Sequence, residues 1–399
     1  MNRPLAGVKV LELGQLIAGP FAGKFFADFG AEVIKIEPPG GDPLRKWRKL
    51  HQGTSLWWYV QNRNKKSVTA DLRLPEGREI VRRIANDADV VIENFRPGTL
   101  EKWGLGYDVL AADNPGLVML RLSGFGQSGP YRDQTGFGAI AESMGGLRYV
   151  TGFPDRPPVR PNLSIGDALA SLHGVIGTLM ALHHRDANGG RSSGRGQVVD
   201  VALYEAVFNM MEGALPEYDL FKETRERTGT NLTGIVPSNT YLTRDRQHVV
   251  IGANADSIFK RLMHLIGRGD LAEDPTLADN AGRSRRADEL DAAIGAWTGT
   301  RSAEEVLKAL AEAQVPSSKI YSMADIAGDA QYLARDMIRQ VRLPDGTPLK
   351  VPGIVPKLSE TPGDIAWVGP ALGEHTEVVL AAHGYGRAEI AGLRARKAV

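Results

Sequence analysis

The 399-residue chain has 42% hydrophobic and 24% charged residues and a formal net charge of +1, which is typical of a water-soluble globular protein. This small charge argues against nucleic acid as a partner, because nucleic-acid-binding proteins usually carry a strong basic excess. The absence of cysteine excludes disulfides and cysteine-based metal sites, and no uninterrupted apolar run is long enough to span a membrane. Without a signal peptide before the first predicted strand, we expect a soluble, cytoplasmic protein with no membrane partner.

The chain begins with a compact βαβ unit. Val8–Leu13 predicts a strand, Phe21–Phe29 a helix and Glu32–Glu37 a second strand. Such a unit is right-handed and its strands are parallel. The glycines do not have the G-x-G-x-x-G spacing of a dinucleotide-binding turn, so we interpret Glu37 as a strand-end charge and not as a ribose ligand.

Strands and helices continue to alternate after this unit. The further predicted strands are Ser67–Ala70, Asp89–Ile92, Leu117–Leu122 and Gln197–Ala202, and the further predicted helices are Pro75–Asn86 and Leu203–Gly213. The pattern predicts an α/β fold with a doubly wound, mostly parallel sheet. Ligands of such sheets bind at the carboxyl ends of the strands, where the polar, Gly- and Pro-rich loops Glu93–Gly98 and Ser123–Pro130 lie. The basic run Arg63–Lys66 could hold a phosphate, but a solvated charge cluster is the commoner explanation.

Asp167 stands where a long apolar helix, Ala168 to about Arg185, is predicted to begin. An aspartate at that point is usually an N-cap, because its carboxylate accepts a hydrogen bond from a free first-turn N–H. The same position keeps the carboxylate ionised, and Gly166 leaves room for a substrate, so Asp167 is also a candidate covalent nucleophile.

The character of the sequence changes near residue 225. A hairpin is predicted around Tyr241–Leu242 and His248–Ile251, followed by amphipathic helices from Ser257 to about 325. Strand-like segments near Val341–Leu343, Leu349–Val351 and Val355–Pro356 precede a helical stretch that opens at Gly373. We therefore divide the chain into a large domain at 1–220, a small α+β domain at 225–328 and a C-terminal segment at 329–399.

Seven segments taken together, in this order, resemble the class III CoA-transferase family, which includes formyl-CoA, carnitine and dicarboxylate CoA-transferases and the related α-methylacyl-CoA racemases. The segments are Gly7–Leu13, Ala18–Pro20, Gly30–Glu37, Asn62–Ser67, Glu93–Gly98, Gly166–Asp167 and Leu372–Thr376.

The resemblance implies an interlocked homodimer, with a large CoA-binding domain built from both chain ends and a smaller α+β domain. It places Asp167 on the family's nucleophile. It also places a set of residues on positions that contact CoA, namely Ile17, Ala18, Asp71, Leu72, Asn94, Phe95, Arg96, Lys102 and Phe137. The sequence departs from the family at Pro38, where several members have an arginine that contacts CoA.

The resemblance further implies an enzyme that moves CoA from an acyl-CoA donor to a small carboxylic acid, with no metal and no tightly bound cofactor. We expect succinyl-CoA as the donor and a short acid or diacid as the acceptor, with Arg132, Arg148 and Arg160 as candidates to hold a distal carboxylate. Formyl-CoA:oxalate and carnitine-type transfer are alternatives. A racemase is disfavoured because no histidine lies between His51 and His173, and a non-catalytic CoA-binding protein is the remaining alternative.

Overall fold

The computed structural model describes residues 3–399, which form two compact units. The first unit combines the chain up to Leu147 with Pro161–Glu212 and Ala334–Val399. The second combines Arg148–Arg160 with Gly213–Leu333. The C-terminal segment therefore belongs to the same unit as the N-terminal βαβ unit.

A six-stranded parallel sheet forms the centre of the first unit. In chain order, the strands of this sheet and a small hairpin are β1 (Lys9–Glu12), β2 (Glu32–Glu37), β3 (Leu50–His51), β4 (Thr54–Ser55), β5 (Lys65–Thr69), β6 (Val90–Glu93), β7 (Val118–Ser123) and β8 (Val198–Ala202). The spatial order is β5-β2-β1-β6-β7-β8, and every neighbouring pair is parallel. The predicted α/β class with a large parallel sheet is confirmed, and its winding direction reverses between β1 and β6.

In the described residues of the first unit up to Phe208, nine helices accompany these strands. They are α1 (Ala18–Asp28), α2 (Leu56–Gln61), α3 (Pro75–Ala85), α4 (Thr99–Lys102), α5 (Tyr107–Asp113), α6 (Gly138–Met144), α7 (Ile165–Ala187), α8 (Gly190–Ser193) and α9 (Leu203–Phe208), with a 3-10 turn at Pro43–Lys46. The predicted helix at 203–213 ends early, at Phe208.

The second unit is built around an antiparallel sheet of three strands in the order β11-β10-β9. Its elements are β9 (Ser238–Leu242), β10 (His248–Gly252), β11 (Ser317–Lys319), α10 (Ala214–Phe221), α11 (Asp256–Leu265), α12 (Gly269–Ala272), α13 (Asn280–Arg285), α14 (Ala287–Thr298), α15 (Ala303–Glu312), α16 (Met323–Gly328) and α17 (Ala330–Ala334), with a 3-10 turn at Pro275–Leu277. Apolar faces of its strands and helices share one core.

The second unit also includes Arg148–Arg160, which the sequence boundaries assign to the large domain. This assignment is wrong because the segment bonds to residues after Gly213. The Gly152 carbonyl accepts the Gly229 N–H at 2.9 Å, and the Tyr149 hydroxyl donates to Glu226 at 2.6 Å. These long-range hydrogen bonds are invisible to a boundary drawn from local composition.

The chain then returns to the first unit through β12 (Ile338–Arg342), β13 (Pro348–Pro352), α18 (Thr376–Ala382) and α19 (Arg387–Ala395). The first two strand-like segments predicted here form the antiparallel pair β12-β13, whereas Val355–Pro356 is not part of a strand in the described chain. Leu380, Ile390 and Leu393 of the last two helices join Ile80 and Ile84 of α3 in one buried cluster on one face of the parallel sheet. Helices α1, α6, α7 and α9 contribute to a second cluster on the other face.

Helix α7 is the only helix in residues 3–399 that is long and apolar enough to cross a membrane by length and composition alone. The core helix of a soluble protein passes the same test. Here its small residues approach the sheet closely, because a Cβ added at Gly174 would lie 2.9 Å from Leu120 and one added at Gly177 would lie 2.8 Å from Val199. One face of α7 is thus part of the core of the first unit.

Residues Leu372–Thr376 attach the C-terminal segment to the edge strand β5 through hydrogen bonds to Ser67. The Gly373 N–H donates to the Ser67 hydroxyl at 2.9 Å, and the His375 N–H donates to the Ser67 carbonyl at 2.9 Å. The His375 Nδ1 atom accepts the Ser67 N–H at 3.2 Å, which requires a neutral imidazole. Burial lowers the pKa of His375, in agreement with this role as an acceptor.

We expect acidification to weaken this attachment. A group with a depressed folded-state pKa contributes stability that is present above its unfolded pKa of about 6.5 and is lost as pH falls through the folded value. His375→Asn retains an acceptor but does not titrate. Urea unfolding at about pH 7 and about pH 5 should therefore show a larger loss of unfolding free energy in the wild type than in the variant. Equal losses would contradict the expectation.

Candidate active site

The reversal between β1 and β6 marks the place where ligands of doubly wound sheets bind. The loop after β1 and the residue after β6 meet there. Asn94 accepts the Gln15 N–H through Oδ1 at 2.8 Å and donates to the Gln15 carbonyl through Nδ2 at 2.9 Å. Because Asn94 holds the loop in this way, the predicted site residues Ile17 and Ala18 lie on a backbone fixed from the neighbouring strand.

A buried cluster of charged side chains contacts the same loop; it consists of Glu12, Lys35, Glu37, Asp42 and Lys65. Leu16 has the unusual φ of 64°, and Asp42 accepts its N–H at 3.1 Å. Lys35 donates to the Gly14 carbonyl at 2.7 Å and lies 3.0 Å from Glu12 and 2.9 Å from Asp42. These contacts stabilise a backbone conformation that a leucine rarely adopts.

The cluster is almost fully buried, so its charges depend on one another. Burial alone would lower the pKa of Lys35, but Asp42, Glu12 and Glu37 together raise it above the usual lysine range. Burial lowers the pKa of Lys65 to about 8, although Glu12 lies 2.7 Å away and opposes the shift. The cluster therefore combines two cations with three carboxylates beneath the loop.

The predicted solvation of Arg63–Lys66 is wrong for its first three residues. Arg63 and Lys65 are 1% and 0% exposed, because Arg63 makes two bonds to Asp28, at 2.8 and 2.7 Å, and Lys65 faces Glu12. Glu37 is also fully buried and accepts bonds from Arg45 and Ser67, as a structural strand-end charge does.

Asp167 is the third residue of α7, since the helix begins at Ile165. The N-cap interpretation is therefore wrong: the N-cap is Ser164, whose side chain makes no capping bond. Instead, the buried Glu142 of α6 accepts the Gly166 N–H at 3.4 Å. Asp167 is left as an acidic, half-buried first-turn residue, where the helix dipole favours its ionised form.

The carboxylate of Asp167 lies directly against Gly138, the first residue of α6. A Cβ added at Gly138 would be 2.2 Å from Asp167 Oδ2 and one added at Gly166 would be 3.0 Å from the Gly138 carbonyl oxygen. Phe137, a predicted CoA-contacting residue, precedes Gly138 and is 68% exposed. The two helix starts thus bring Phe137 and Asp167 together, and glycines make this approach possible.

Ser171 connects Asp167 to the loop at the reversal point. Its hydroxyl oxygen lies 2.7 Å from the Ala18 carbonyl oxygen and 2.7 Å from the Asp167 carbonyl oxygen. Asp167, Ala18 and, through the loop, Asn94 therefore form one continuous structure. Sequence patterns did not identify Ser171, Glu142 or Gly138 as parts of it.

The remaining predicted site residues are distributed along the same edge of the sheet. Asp71 and Leu72 follow the edge strand β5, two strands away from β1, or about 10 Å at normal strand spacing. Asp71 is paired with Arg73 at 2.7 Å, which lowers its pKa. Leu72 packs on the core between the sheet and α3. These two residues thus lie two strands away from the loop after β1, a distance that only an extended ligand would cover.

The segment after β6 carries three predicted residues besides Asn94. Phe95 packs edge-to-face on Trp103 with ring centroids 5.4 Å apart. Arg96 is exposed and donates to the Asp133 carbonyl at 2.8 Å, and Lys102 is exposed at the end of α4. Pro38 stands where several family members have an arginine that contacts CoA. The first basic residue after Pro38 is Arg45, which is already bonded to Glu37 and to the Pro370 carbonyl.

Histidines do not assemble into a site in the described part of the chain. The His173 ring bonds to the Leu169 carbonyl at 2.8 Å and to Asn209 at 3.1 Å, as a structural histidine does. No group of three or more His, Asp or Glu side chains among residues 3–399 is arranged to hold a metal ion. Of the candidates for a distal carboxylate, Arg132 belongs to the first unit and faces Asp133 at 3.6 Å, whereas Arg148 and Arg160 belong to the second.

Gly138→Ala is expected to reduce turnover strongly with little loss of stability. The new methyl group would displace the Asp167 carboxylate, and a misplacement of about 1 Å at a reacting group can cost about 100-fold in rate. A side-chain carboxylate can rotate away, so the fold should tolerate the change. We would compare kcat and melting temperature with those of Gly295→Ala in α14, where an added Cβ meets nothing within 4 Å. Wild-type kcat in Gly138→Ala would refute this placement of the carboxylate.

Comparison with known proteins agrees with the sequence resemblance. The model of the CoA-transferase family III matches residues 5–376. The chain is 50% identical over 400 residues to the succinyl-CoA–D-citramalate CoA-transferase of Chloroflexus aurantiacus. The alignment covers 100% of this chain and 98% of that protein. The chain is 40% identical over 401 residues to the succinyl-CoA–L-malate CoA-transferase alpha subunit of the same organism, covering 99% and 92%.

A solved structure supports the fold. A CAIB/BAIF family protein from Brucella suis superposes with a TM-score of 0.82 at 35% sequence identity, covering 96% of this chain and 100% of that one. Family model, relatives and fold all extend over nearly the whole chain, so the predicted family is confirmed. Such enzymes take CoA thioesters as substrates. The chain belongs to the CoA-transferase family III, and the protein is a CoA-transferase.

Proposed function

We propose that the protein transfers CoA from succinyl-CoA to a short dicarboxylic acid through covalent intermediates on Asp167. The observation that carries the proposal is the position of this half-buried carboxylate in the first turn of α7, against Gly138 and one helical turn before Ser171, which contacts the loop at the sheet reversal. The names of the two relatives favour succinyl-CoA as donor and a hydroxydicarboxylate as acceptor.

The reaction needs no atom beyond those of the substrates and Asp167. The Asp167 carboxylate attacks the thioester carbonyl, which gives a succinyl-aspartyl anhydride and CoA thiolate. The thiolate then attacks the aspartyl carbonyl, so that aspartyl-CoA forms and succinate leaves. The acceptor carboxylate attacks the aspartyl carbonyl of aspartyl-CoA, which gives a second anhydride and expels CoA thiolate again. This thiolate attacks the acceptor carbonyl of the anhydride, which forms the new acyl-CoA and restores the Asp167 carboxylate.

Residues near the sheet edge would bind the CoA portion. Ile17 and Ala18 would contact it through the loop held by Asn94, and Phe95, Arg96 and Lys102 would contact it from the segment after β6. Asp71 and Leu72 would be reached by an extended part of the molecule. Phe137, beside Gly138, would contact it close to Asp167. CoA would enter as a thioester substrate, without a tightly bound cofactor.

We further propose that the protein acts in the cytoplasm as an interlocked homodimer. Helix α7 exposes an apolar stripe opposite its core face, with Leu172, Ile176, Leu179 and Met180 between 37% and 66% exposed. A soluble protein usually covers such a stripe. The mass of the purified protein in solution tests this: a mass of one chain would contradict a dimer, and activity only with a different second chain would contradict a homodimer.

The substrate proposal is tested by incubating the protein with succinyl-CoA and a panel of acids, including citramalate, malate, glutarate, oxalate and carnitine, followed by chromatography of the CoA esters. We expect CoA transfer to a short dicarboxylate. Parallel incubations replace succinyl-CoA with formyl-CoA, and faster transfer from formyl-CoA to oxalate than from succinyl-CoA to any acid would contradict the proposed donor. A 2-methylacyl-CoA incubated in D₂O should retain its α-proton, and its exchange would favour a racemase.

A further inference from the structure

One charged cluster next to the proposed CoA-binding segment has no part in the reaction described above. Arg121 of β7 donates through Nε to Glu93 of β6 at 2.7 Å. It also donates through Nη1 and Nη2 to Glu101 of α4, at 2.7 and 3.3 Å. Arg121 is 7% exposed and Glu93 is 1% exposed, whereas the Glu101 side chain is 47% exposed, so the guanidinium lies between one buried and one half-exposed carboxylate.

Both carboxylates belong to the segment that carries the proposed CoA contacts. Glu93 immediately precedes Asn94, and its second oxygen accepts the Phe95 N–H at 2.7 Å. Glu101 immediately precedes Lys102 in α4. Arg121 therefore fixes the two ends of the segment Glu93–Lys102 to the neighbouring strand, which pairs Glu93 with Arg121 in its register.

The segment has little capacity to hold its own shape. Helix α4 has four residues, fewer than an isolated helix needs, and Gly98 before it has a φ of 81°. Between its ends, Asn94 bonds to Gln15 and Arg96 bonds to the Asp133 carbonyl. These contacts lie between the two ends, and Phe95 also packs on Trp103, whereas the planar fork of Arg121 bonds at both ends at once.

A buried ion pair generally adds little net stability, because desolvation offsets the attraction, but it fixes the geometry of the groups it joins. We infer that Arg121 is a positioning residue for acyl-CoA, holding Phe95 and Lys102 at the places where they contact the CoA portion. The inference rests on the proposed function. It assigns Arg121 to substrate binding and leaves the chemistry to Asp167.

The test compares Arg121→Lys with Arg63→Lys. Each variant keeps a buried cation and loses a planar fork, but Arg63 bonds to Asp28, outside the segment Glu93–Lys102. Burial raises the pKa of Glu93 to about 7, against the opposing effect of Arg121, so assays belong near pH 8, where Glu93 is ionised. We expect Arg121→Lys to raise the KM for acyl-CoA about tenfold with kcat within about twofold, and Arg63→Lys to leave KM unchanged.

If Arg121 is only structural, Arg121→Lys will lower the melting temperature as Arg63→Lys does and leave KM at the wild-type value, which would overturn the inference. Glu101→Gln is a second variant that should fold normally, because the Glu101 side chain is 47% exposed. We expect it to raise the KM for acyl-CoA less than Arg121→Lys does. Calorimetric binding of CoA to wild type and Arg121→Lys separates the two proposals. Equal affinities overturn the inference, whereas binding without any CoA transfer by the wild type overturns the proposed function.

Discussion

Asp167→Asn is expected to abolish CoA transfer while the protein stays folded. The amide has nearly the same shape as the carboxylate and can keep a polar contact in the first turn of α7, but it cannot attack a thioester. Removing the nucleophile of an enzyme that works by covalent catalysis typically lowers kcat by on the order of 10⁴-fold or more. Initial rates of succinyl-CoA-dependent transfer measure this directly.

The same variant tests the covalent intermediate. Intact-protein mass spectrometry after mixing with succinyl-CoA should show an adduct on the wild type and none on Asp167→Asn. Glu377→Gln is a matched control, because Glu377 is an acidic first-turn residue of α18. The control should keep its activity and its adduct. Normal turnover in Asp167→Asn would refute the covalent role, and would leave Asp167 as a structural residue of the helix start.

Lys35→Met is expected to cause the largest loss of stability of the changes considered. It removes the cation that bonds to Glu12, Asp42 and the Gly14 carbonyl, so the buried Asp42 loses its ion-pair partner while Glu12 keeps only Lys65. Breaking a buried ion pair from one side typically costs about 3–5 kcal/mol. Because the folded-state pKa of Lys35 is raised, its contribution is complete below its unfolded pKa of about 10.5 and is lost only as pH rises through the folded value. Neutral pH therefore shows the full effect.

Urea unfolding at neutral pH measures this loss, with Lys66→Met as the matched control. Lys66 is the neighbour of Lys65 and pairs with Glu32, but both side chains of that pair are more than one-third exposed. Removing it should cost less than about 1 kcal/mol. An unfolding free energy of Lys35→Met within 1 kcal/mol of the wild type would contradict the role of this cluster, as would a larger loss in Lys66→Met.

The sequence predicted the strands and long helices of the first unit well, because each is encoded in its own residues. Short segments rich in Val, Ile and Leu, such as Leu117–Leu122 and Glu32–Glu37, need only their own side-chain pattern to indicate a strand. The ends of helices were predicted less accurately where the neighbouring sequence carries no strong capping or turn signal. Helix α7 begins at Ile165, where Glu142, on another helix, accepts the Gly166 N–H, and no pattern around Asp167 reveals that partner.

The partners of charged side chains were the part of the site that the sequence left open. Arg63 and Lys65 appear in a polar run, yet Asp28 and Glu12, from distant parts of the chain, allow their burial. Arg121 carried a signal that could have been used, since a single charge inside an apolar strand needs a buried partner. Which carboxylates supply that partner depends on the order of strands in the sheet.

By itself, then, the sequence determined the α/β class and the family, because these follow from local periodicity and from ordered segments along the chain; the role of Asp167 as nucleophile stays a prediction. Only the tertiary structure decided that Gly138 lies against Asp167, that Arg148–Arg160 joins the second unit, and that Arg121 holds the segment after β6. Each of these depends on contacts between residues far apart in sequence. Such contacts form when elements pack against one another, and no single element encodes them.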